Sequence, residues 1–206
     1  MNNPYKIVAE FEEMIAAYAG SKYAVAVESG TAAIFLSLMW YKNCNNGLLP
    51  ITIPKHTYPS VPCSIINVGG KVIFSDEKWD GVYDLLPYSI TDGALRFKKG
   101  MYKGGHHCLS FHIKKHLPIG RGGMILTDDK GSYLWLKKAR FDGRDEVPLE
   151  DMKEPILGWN MYMEPTHAAR GIMLFNTIKD KDLPDMDVNK QGYPDLSKFD
   201  IYKKDL

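Results

Sequence analysis

The sequence predicts an α/β fold in which a mostly parallel sheet of roughly six strands carries helices on both faces. Short apolar runs alternate along the chain with segments whose apolar residues recur every three or four positions, which is the order of repeated strand–helix units. Turns that contain glycine separate most of these segments. The 206 residues, of which 45% are hydrophobic, are enough for one domain with a substantial core.

The apolar pattern predicts the elements in order. We predict helices over residues 7–19, 32–41, 60–68, 132–140 and 165–179. We predict strands over residues 23–27, 48–53, 71–75, 87–91, 107–111 and 123–127. Gly20 is expected to cap the first helix at its C-terminal end, and Pro165 is acceptable in the first turn of the last helix. Residues 77–91 are too few for a helix and a strand of ordinary length, so we expect a loop before the fourth strand.

Charge and composition indicate a cytoplasmic globular protein. Because 26 Lys and Arg nearly balance 25 Asp and Glu, there is no basic field to suggest a nucleic-acid partner. Cys44, Cys63 and Cys108 are an odd number without framework spacing, which fits a reducing compartment. The first residues are polar, so we expect no signal peptide, and no apolar run is long enough to suggest a membrane span.

The end of the chain differs in composition from the rest. From Asp180 onward charged residues are frequent, and Pro184, Gly192 and Pro194 interrupt any periodicity. Such a segment cannot build a core of its own. We therefore expect a domain over residues 1–179 and a charged C-terminal tail over residues 180–206, which is either disordered or draped over the body or a partner chain.

The functional prediction depends on residues 106–129. An apolar run ends at Ser110, a polar loop carries Lys114 and Lys115, and a second apolar run begins at Gly123. A lysine that strands and helices partly desolvate loses some of its preference for the ammonium form, and its neutral amine can then form a Schiff base with a carbonyl. A solvated loop lysine is the alternative that this pattern leaves open.

Four further residues lie where predicted strands end. Gly30 and Thr31 open the helix after the first strand, where unpaired backbone N–H groups can hold a phosphate, although these residue types are also common helix caps. Tyr58 follows the second strand, and its ring could stack on a planar cofactor or simply pack in the interior. Asp92 follows the fourth strand and could form a turn or pair with a protonated ring nitrogen.

A zinc site is an alternative for the same stretch. Cys108, His112 and His116 are spaced four apart, and His106 and His107 adjoin them. A spacing of four brings side chains together on a helix, whereas Cys108 is predicted in a strand and His116 beyond a loop. We therefore predict no metal.

Longer sequence segments around these candidate residues match the pattern of one known family. From residue 10 to about residue 178 the chain resembles the DegT/StrS family of pyridoxal-phosphate-dependent sugar aminotransferases, within the aspartate aminotransferase superfamily. The matching segments are FEEMIAAYAGSKYAVAVESGTAAI, IPKHTYPSVPCSIINVGGKVIFSD, ITDGA, CLSFHIKKHLPIGRGGMILTDD, ARFDGRD and GWNMYM with HAARG. The resemblance implies the large-domain fold of fold-type-I transferases, with the C-terminal small domain largely absent and one strand–helix unit missing between residues 76 and 92.

The resemblance also implies roles by position. Lys115 would be the catalytic residue, which binds pyridoxal 5'-phosphate as a Schiff base and then moves a proton between cofactor and substrate. Lys114 is the rival by adjacency, but its spacing does not fit the family pattern. Asp92 would keep the ring nitrogen protonated, and Tyr58 would stack on the ring.

The same resemblance implies which residues bind the cofactor phosphate and how the subunits assemble. Gly30, Thr31 and Ser110 would bind the cofactor phosphate within one chain. Asn160 would reach the phosphate of the neighbouring subunit, so the resemblance implies a homodimer.

The implied activity is the transfer of an amino group, with glutamate as the expected donor, to a nucleotide-linked keto sugar in amino-sugar and surface-polysaccharide biosynthesis. The alternative is a non-catalytic relic that binds pyridoxal phosphate or a nucleotide sugar, or that partners a full-length homologue. Three positions depart from the family pattern. Leu95 stands where the family usually has Gln, Arg121 where it has Glu, and Tyr162 where it has Arg.

Overall fold

The structure is a computed structural model that describes residues 3–203. The helices in this range are α1 (Lys6–Ala19), α2 (Gly30–Asn45), α3 (Ser60–Asn67), α4 (Lys130–Ala139) and α5 (Pro165–Ile178). The strands are β1 (Tyr23–Val27), β2 (Ile51–Pro54), β3 (Val72–Ser75), β4 (Tyr83–Asp84), β5 (Ile90–Asp92), β6 (His106–Ser110) and β7 (Gly123–Thr127). Single 3-10 turns lie at Leu149–Asp151, Val188–Gln191, Leu196–Lys198 and Asp200–Tyr202. The predicted α/β class and the predicted helices are confirmed.

The main sheet is mixed rather than mostly parallel. Its order is β1-β7-β6-β5-β4, and β2 pairs with β3 in a second, two-stranded sheet. Within these sheets β5 and β6 run parallel, as do β2 and β3, whereas the other three pairs are antiparallel. The physical reason lies in the connections, because parallel neighbours need a long crossover that is usually a helix. Residues 111–122 contain no helix, and β7 therefore returns antiparallel to β6.

Strand β4 lies in the segment that we expected to be a loop. Tyr83 on this strand pairs with Asp92 on β5. Leu86, just beyond it, exchanges two backbone hydrogen bonds with Thr52 on β2, at 2.8 and 3.2 Å, and so joins the two sheets. A two-residue strand and one bridge thus connect β5 to β2 in the segment where the resemblance implied a missing strand–helix unit.

Two hydrophobic clusters lie on opposite faces of the main sheet. Alternate residues of β1 divide between them, with Val25 and Val27 in one cluster and Ala24 and Ala26 in the other, as the two-residue period of a strand requires. The first cluster includes residues of α2, α3 and α4, and the second includes residues of α1 and α5. Helices therefore cover both faces, as the sequence predicts.

A buried ion cluster ties α1 and α4 to β1. Arg140 is fully buried, and its Nη1 donates hydrogen bonds to Glu12 Oε1 and to the Ala26 carbonyl. Its Nη2 donates to Glu146 at 2.7 Å, and the Lys137 ammonium lies 3.1 Å from Glu12 Oε2. The Ala26 N–H donates to Glu12 Oε1 at 2.8 Å. The Glu12 carboxylate on α1 therefore bonds to both α4 and β1.

The C-terminal residues up to residue 203 lie against the body of the same chain. Asp185 forms ion pairs with Arg96 at 2.5 Å and with Lys98 at 3.1 Å. Further along, Leu196 is 1% exposed, and the ring of Tyr202 contacts Phe74 edge-on. These contacts hold the described part of the tail against the rest of the chain, and the division of the chain at residue 179 stays a prediction.

No helix within residues 3–203 combines the length and the apolar character needed to cross a lipid bilayer.

Removing one partner of the ion cluster should destabilise the fold. Replacing Glu12 by Ala leaves the buried Arg140 guanidinium without a main counter-charge, and we expect a loss of about 3–5 kcal/mol of unfolding free energy. Urea denaturation followed by circular dichroism measures this loss. Glu13, which is exposed on the same helix, is the matched control. An equal effect of Glu12→Ala and Glu13→Ala would contradict the assigned role of the cluster.

The stability of the fold should fall in mild acid. Burial lowers the pKa of His106 and of His107 from 6.5 to about 4, so the unfolded chain binds protons that the folded chain refuses. The stabilisation is complete above pH 6.5 and is lost as the pH falls towards 4. We expect each imidazole to remove about 2 kcal/mol between roughly pH 7.5 and pH 5.

Urea unfolding at these two pH values tests this expectation. Replacing His107 by Gln should remove about half of the pH dependence. Replacing the exposed His56 by Gln should leave it unchanged. A pH dependence that is undiminished in the His107 variant would show that groups other than His107 cause it.

Candidate active site

A cavity of about 290 Å³ lies at the carboxyl ends of β1, β2, β5 and β6. This edge of an α/β sheet is where ligands commonly bind, because loops and helix N-termini converge there. Six of the seven residues predicted to bind the cofactor line this cavity: Gly30, Thr31, Tyr58, Asp92, Ser110 and Lys115. The folded chain thus brings together residues that are separated by up to 85 positions in the sequence.

Asp92 is the buried acid of the cavity. Asp92 is the last residue of β5 and is 5% exposed. Its Oδ1 accepts a hydrogen bond from the Ala94 N–H and its Oδ2 accepts one from the Tyr83 hydroxyl, both at 2.9 Å. The Tyr83 hydroxyl lies 2.6 Å from Thr57 Oγ1, which is also buried. Burial raises the pKa of Asp92, and the two donors and the charge of Lys115 oppose that rise.

Lys115 is half-buried in the loop between β6 and β7. Its backbone N–H donates to the His112 carbonyl at 2.8 Å, which fixes the turn that carries the side chain. Burial lowers the pKa of Lys115, and the opposite charge of Asp92 partly restores it. Lys114 also lines the cavity, but it is exposed. The two adjacent lysines therefore differ in exposure: Lys115 is half-buried and Lys114 is exposed.

The N-terminus of α2 points into the same cavity. Ser29 is the N-cap residue, and its side chain accepts a hydrogen bond from the Ala32 N–H at 3.1 Å. A Cβ atom at Gly30 would lie only 2.9 Å from Ser110 Cβ, so glycine permits this close approach of helix and strand. The Thr31 hydroxyl donates to Ser60 Oγ at 2.8 Å. Backbone N–H groups and hydroxyls are thus arranged as donors for an anion.

Several lining residues were not predicted from the sequence. Trp79 comes from the segment expected to be a loop, and Gln191 and Tyr193 come from the C-terminal tail. The Tyr83 ring meets Trp79 edge-on at 4.7 Å, close to the buried acid. The nearness of Trp79 and Tyr83 to Asp92 in the sequence was the one signal that could have placed them beside the cavity. Nothing in the sequence pattern of the tail predicted that Gln191 and Tyr193 line it.

Asn160 does not line the cavity of its own chain. It is exposed, it pairs with Phe141 through an isolated β-bridge, and its Nδ2 donates to Asp142 Oδ2 at 3.3 Å. The proposed contact of Asn160 with a neighbouring subunit stays a prediction.

The three departures from the family pattern have identifiable surroundings. Leu95 is fully buried in the interior. Arg121 lines the cavity and pairs with Glu28 at 2.6 Å. Tyr162 contacts the rings of Tyr5 and Phe141 edge-on.

The zinc alternative is not supported by the geometry. Among the described residues no three His, Cys, Asp or Glu side chains are grouped so that they could hold a metal ion. Cys108 is buried with its thiol 3.4 Å from Ser37 Oγ, and burial raises the pKa of this thiol to about 12. His112 is exposed, and His116 contacts the Pro184 carbonyl instead.

The Tyr83 hydroxyl should hold Asp92 in its ionised form. Replacing Tyr83 by Phe removes a donor to Oδ2, and we expect the pKa of Asp92 to rise further because the neutral carboxyl loses less than the carboxylate. NMR titration of the carboxyl carbon measures this shift. Tyr88→Phe is the matched control, because Tyr88 is buried on the same segment and its hydroxyl accepts from the Leu49 N–H. An unchanged pKa of Asp92 in Tyr83→Phe would contradict this role.

Two curated proteins are similar to this chain. The spore coat polysaccharide biosynthesis protein SpsC of Bacillus subtilis is 28% identical over an alignment of 167 positions, which covers 60% of this chain and 42% of SpsC. The GDP-perosamine synthase of Caulobacter vibrioides is 25% identical over an alignment of 213 positions, which covers 81% of this chain and 56% of the synthase. The chain thus spans about half the length of the curated relatives that it matches.

A solved structure has the same fold. The structure of AtS13 from Actinomadura melliaura superposes with a TM-score of 0.72 at 19% identity, over 84% of this chain and 60% of AtS13. At this identity the likeness concerns the fold alone.

The family model of the DegT/DnrJ/EryC1/StrS aminotransferases matches residues 1–83 and 98–181. These ranges contain the α2 N-terminus and the loop of Lys115. Asp92 lies in the unmatched interval, and its assignment depends on its position in the cavity. Since the matched ranges make up most of the sequence, the chain belongs to the DegT/DnrJ/EryC1/StrS aminotransferase family.

Proposed function

We propose that this chain binds pyridoxal 5'-phosphate at Lys115 and transfers an amino group from glutamate to a nucleotide-linked keto sugar. One observation carries the proposal. A buried carboxylate, a partly desolvated lysine and a helix N-terminus face a single cavity, contributed by Asp92, Lys115 and α2. Each group matches a different part of the cofactor.

The residues that line the cavity fit pyridoxal phosphate. The close approach that Gly30 allows places the Ser110 hydroxyl beside the α2 N-terminus, where both line the cavity and could donate to one phosphate. Asp92 offers a carboxylate to a protonated ring nitrogen. Tyr58 is exposed at the cavity wall, where its ring is available for stacking. A volume of about 290 Å³ is near the lower end of the roughly 300–1,000 Å³ of typical ligand pockets, which suits one ligand of this size.

When bound, the cofactor supplies an electron-accepting ring that stabilises negative charge on the substrate carbon. The chain itself supplies proton control. Asp92, whose carboxylate form is favoured by the Ala94 N–H and the Tyr83 hydroxyl, would hold a proton on the ring nitrogen. Lys115 Nζ, whose pKa is lowered by burial, can accept a proton from the substrate carbon and return it. The two groups have opposite charges, and each therefore favours the charged form of the other.

The substrate class is supported by the curated relatives. One carries spore coat polysaccharide biosynthesis in its name and the other is a GDP-perosamine synthase. Both names concern carbohydrate synthesis, which supports a nucleotide-linked sugar as the amino acceptor. They also favour catalysis over the non-catalytic relic.

We further propose that the active form is a cytoplasmic homodimer. Asn160 is exposed and lies outside the cavity of its own chain, which leaves it available for the phosphate site of a neighbouring subunit. The three free cysteines support a reducing compartment.

Absorbance spectroscopy tests the proposal. Purified protein mixed with pyridoxal phosphate should acquire a visible band that Lys115→Ala abolishes, because the band requires a covalent bond to this amine. Lys114→Ala is the matched control and should retain the band. Addition of glutamate should then bleach the band as the amino group moves to the cofactor.

The outcomes separate the possible functions. A band that persists in Lys115→Ala, or no band in the wild-type protein, would contradict the proposed function. A stable band that glutamate does not bleach would favour the binding-only relic.

A further inference from the structure

The C-terminal strap, defined as residues 184–196, closes one side of the cavity. Gln191 and Tyr193 of this strap line the cavity together with Asp92 and Lys115. We propose that Tyr193 is a ligand-binding residue that supplies a second aromatic wall, next to Tyr58, for the planar ring of the bound cofactor. This inference rests on the proposed function and adds a residue outside the segments matched by the family model.

One end of the strap is fixed beside the catalytic loop. His116 Nε2, in the residue after Lys115, lies 2.8 Å from the Pro184 carbonyl oxygen. Asp185 accepts hydrogen bonds from Arg96 Nε and Nη2, and Lys98 adds an ion pair at 3.1 Å. These contacts join the strap to the loop that carries the lysine and to the segment that follows the buried acid.

The other end is fixed on the opposite side of the cavity. The Tyr193 carbonyl lies 3.1 Å from His56 Nδ1, and the Leu196 N–H donates to the Lys55 carbonyl at 2.9 Å. The side chain of Leu196 is 1% exposed, so it anchors the strap in the interior. Asp195 adds an ion pair with Lys55 at 3.6 Å. The strap is therefore held at both ends while its middle crosses the cavity.

Tyr193 faces the part of the cavity that the proposed function assigns to the cofactor ring. Its ring is nearly parallel to Trp79, at 13° and 6.3 Å between centroids, and meets Tyr58 edge-on at 6.3 Å. Burial raises the pKa of the Tyr193 hydroxyl, and the charge of Asp92 adds to this rise. The hydroxyl is therefore protonated at neutral pH, and it lies close enough to Asp92 to interact with its charge.

The Tyr193 side chain is suited to forming a rigid wall of the cavity. A rotamer-poor aromatic residue gives a large contact area at low entropic cost, which is the property required of a rigid wall for a flat ligand. Tyr193 is only half-buried where it lines the cavity, and its uncovered surface is available to a ligand. The strap thus presents the ring to the cavity and keeps it in place from both sides.

The dissociation constant of pyridoxal phosphate tests the inference. We expect Tyr193→Ala to weaken binding about three- to tenfold, as the loss of one aromatic contact predicts. Tyr193→Phe keeps the ring and should stay within about twofold of the wild type. Phe199→Ala removes a partly exposed ring that lies three residues beyond the strap and outside the cavity; this variant is the control and should not change the affinity.

Hydrogen exchange provides a second measurement that needs no variant. Binding of pyridoxal phosphate to the wild-type protein should slow amide exchange across residues 184–196, and unchanged exchange there would overturn the inference. Equal affinities of the wild type and Tyr193→Ala would also overturn it. In both cases an intact visible band that depends on Lys115 would leave the proposed function standing, whereas absence of that band in the wild type would overturn both.

Discussion

The site depends on the electrostatic coupling between a buried carboxylate and a half-buried amine. Burial alone would drive both groups towards their neutral forms, raising the pKa of Asp92 and lowering that of Lys115. Their opposite charges limit both shifts, and the donors from Ala94 and Tyr83 further limit that of Asp92. The result is an acid that can stay ionised and an amine that can lose its proton, which is the combination that Schiff-base chemistry needs.

The rest of the fold serves to hold these two groups in place. Asp92 is the last residue of β5, the strand between β6 and the edge strand β4, and β4 places the Tyr83 hydroxyl against its second oxygen. Lys115 is carried by the connection between β6 and β7, and β7 is fixed by antiparallel pairing on both sides. The ion cluster around Arg140 joins α1 and α4 to β1, the strand that leads into the N-terminus of α2 at the cavity. Membership of the aminotransferase family and this arrangement point to the same chemistry.

The sequence predicted those features that depend on local chemistry. A strand–turn–helix pattern marked Gly30, and the position of a polar loop between two strands marked the loop of Lys114 and Lys115; the cavity contains these residues. The choice of Lys115 over Lys114 came from the family resemblance. Strand direction was not predictable in this way, since apolar runs look alike whether their neighbours are parallel or antiparallel. Tyr83 and Tyr193 were missed because a two-residue strand and a strap without periodicity acquire their positions only through tertiary contacts.

The coupling between the two groups can be measured without any ligand. NMR titration of the Lys115 side chain gives its pKa in the wild-type protein and in Asp92→Asn. The account predicts a wild-type value below the usual 10.5 and a still lower value in the variant, because the variant removes the charge that favours the ammonium form. A Lys115 that titrates at the usual value in both proteins would contradict it, because the amine would then be solvated and independent of the acid.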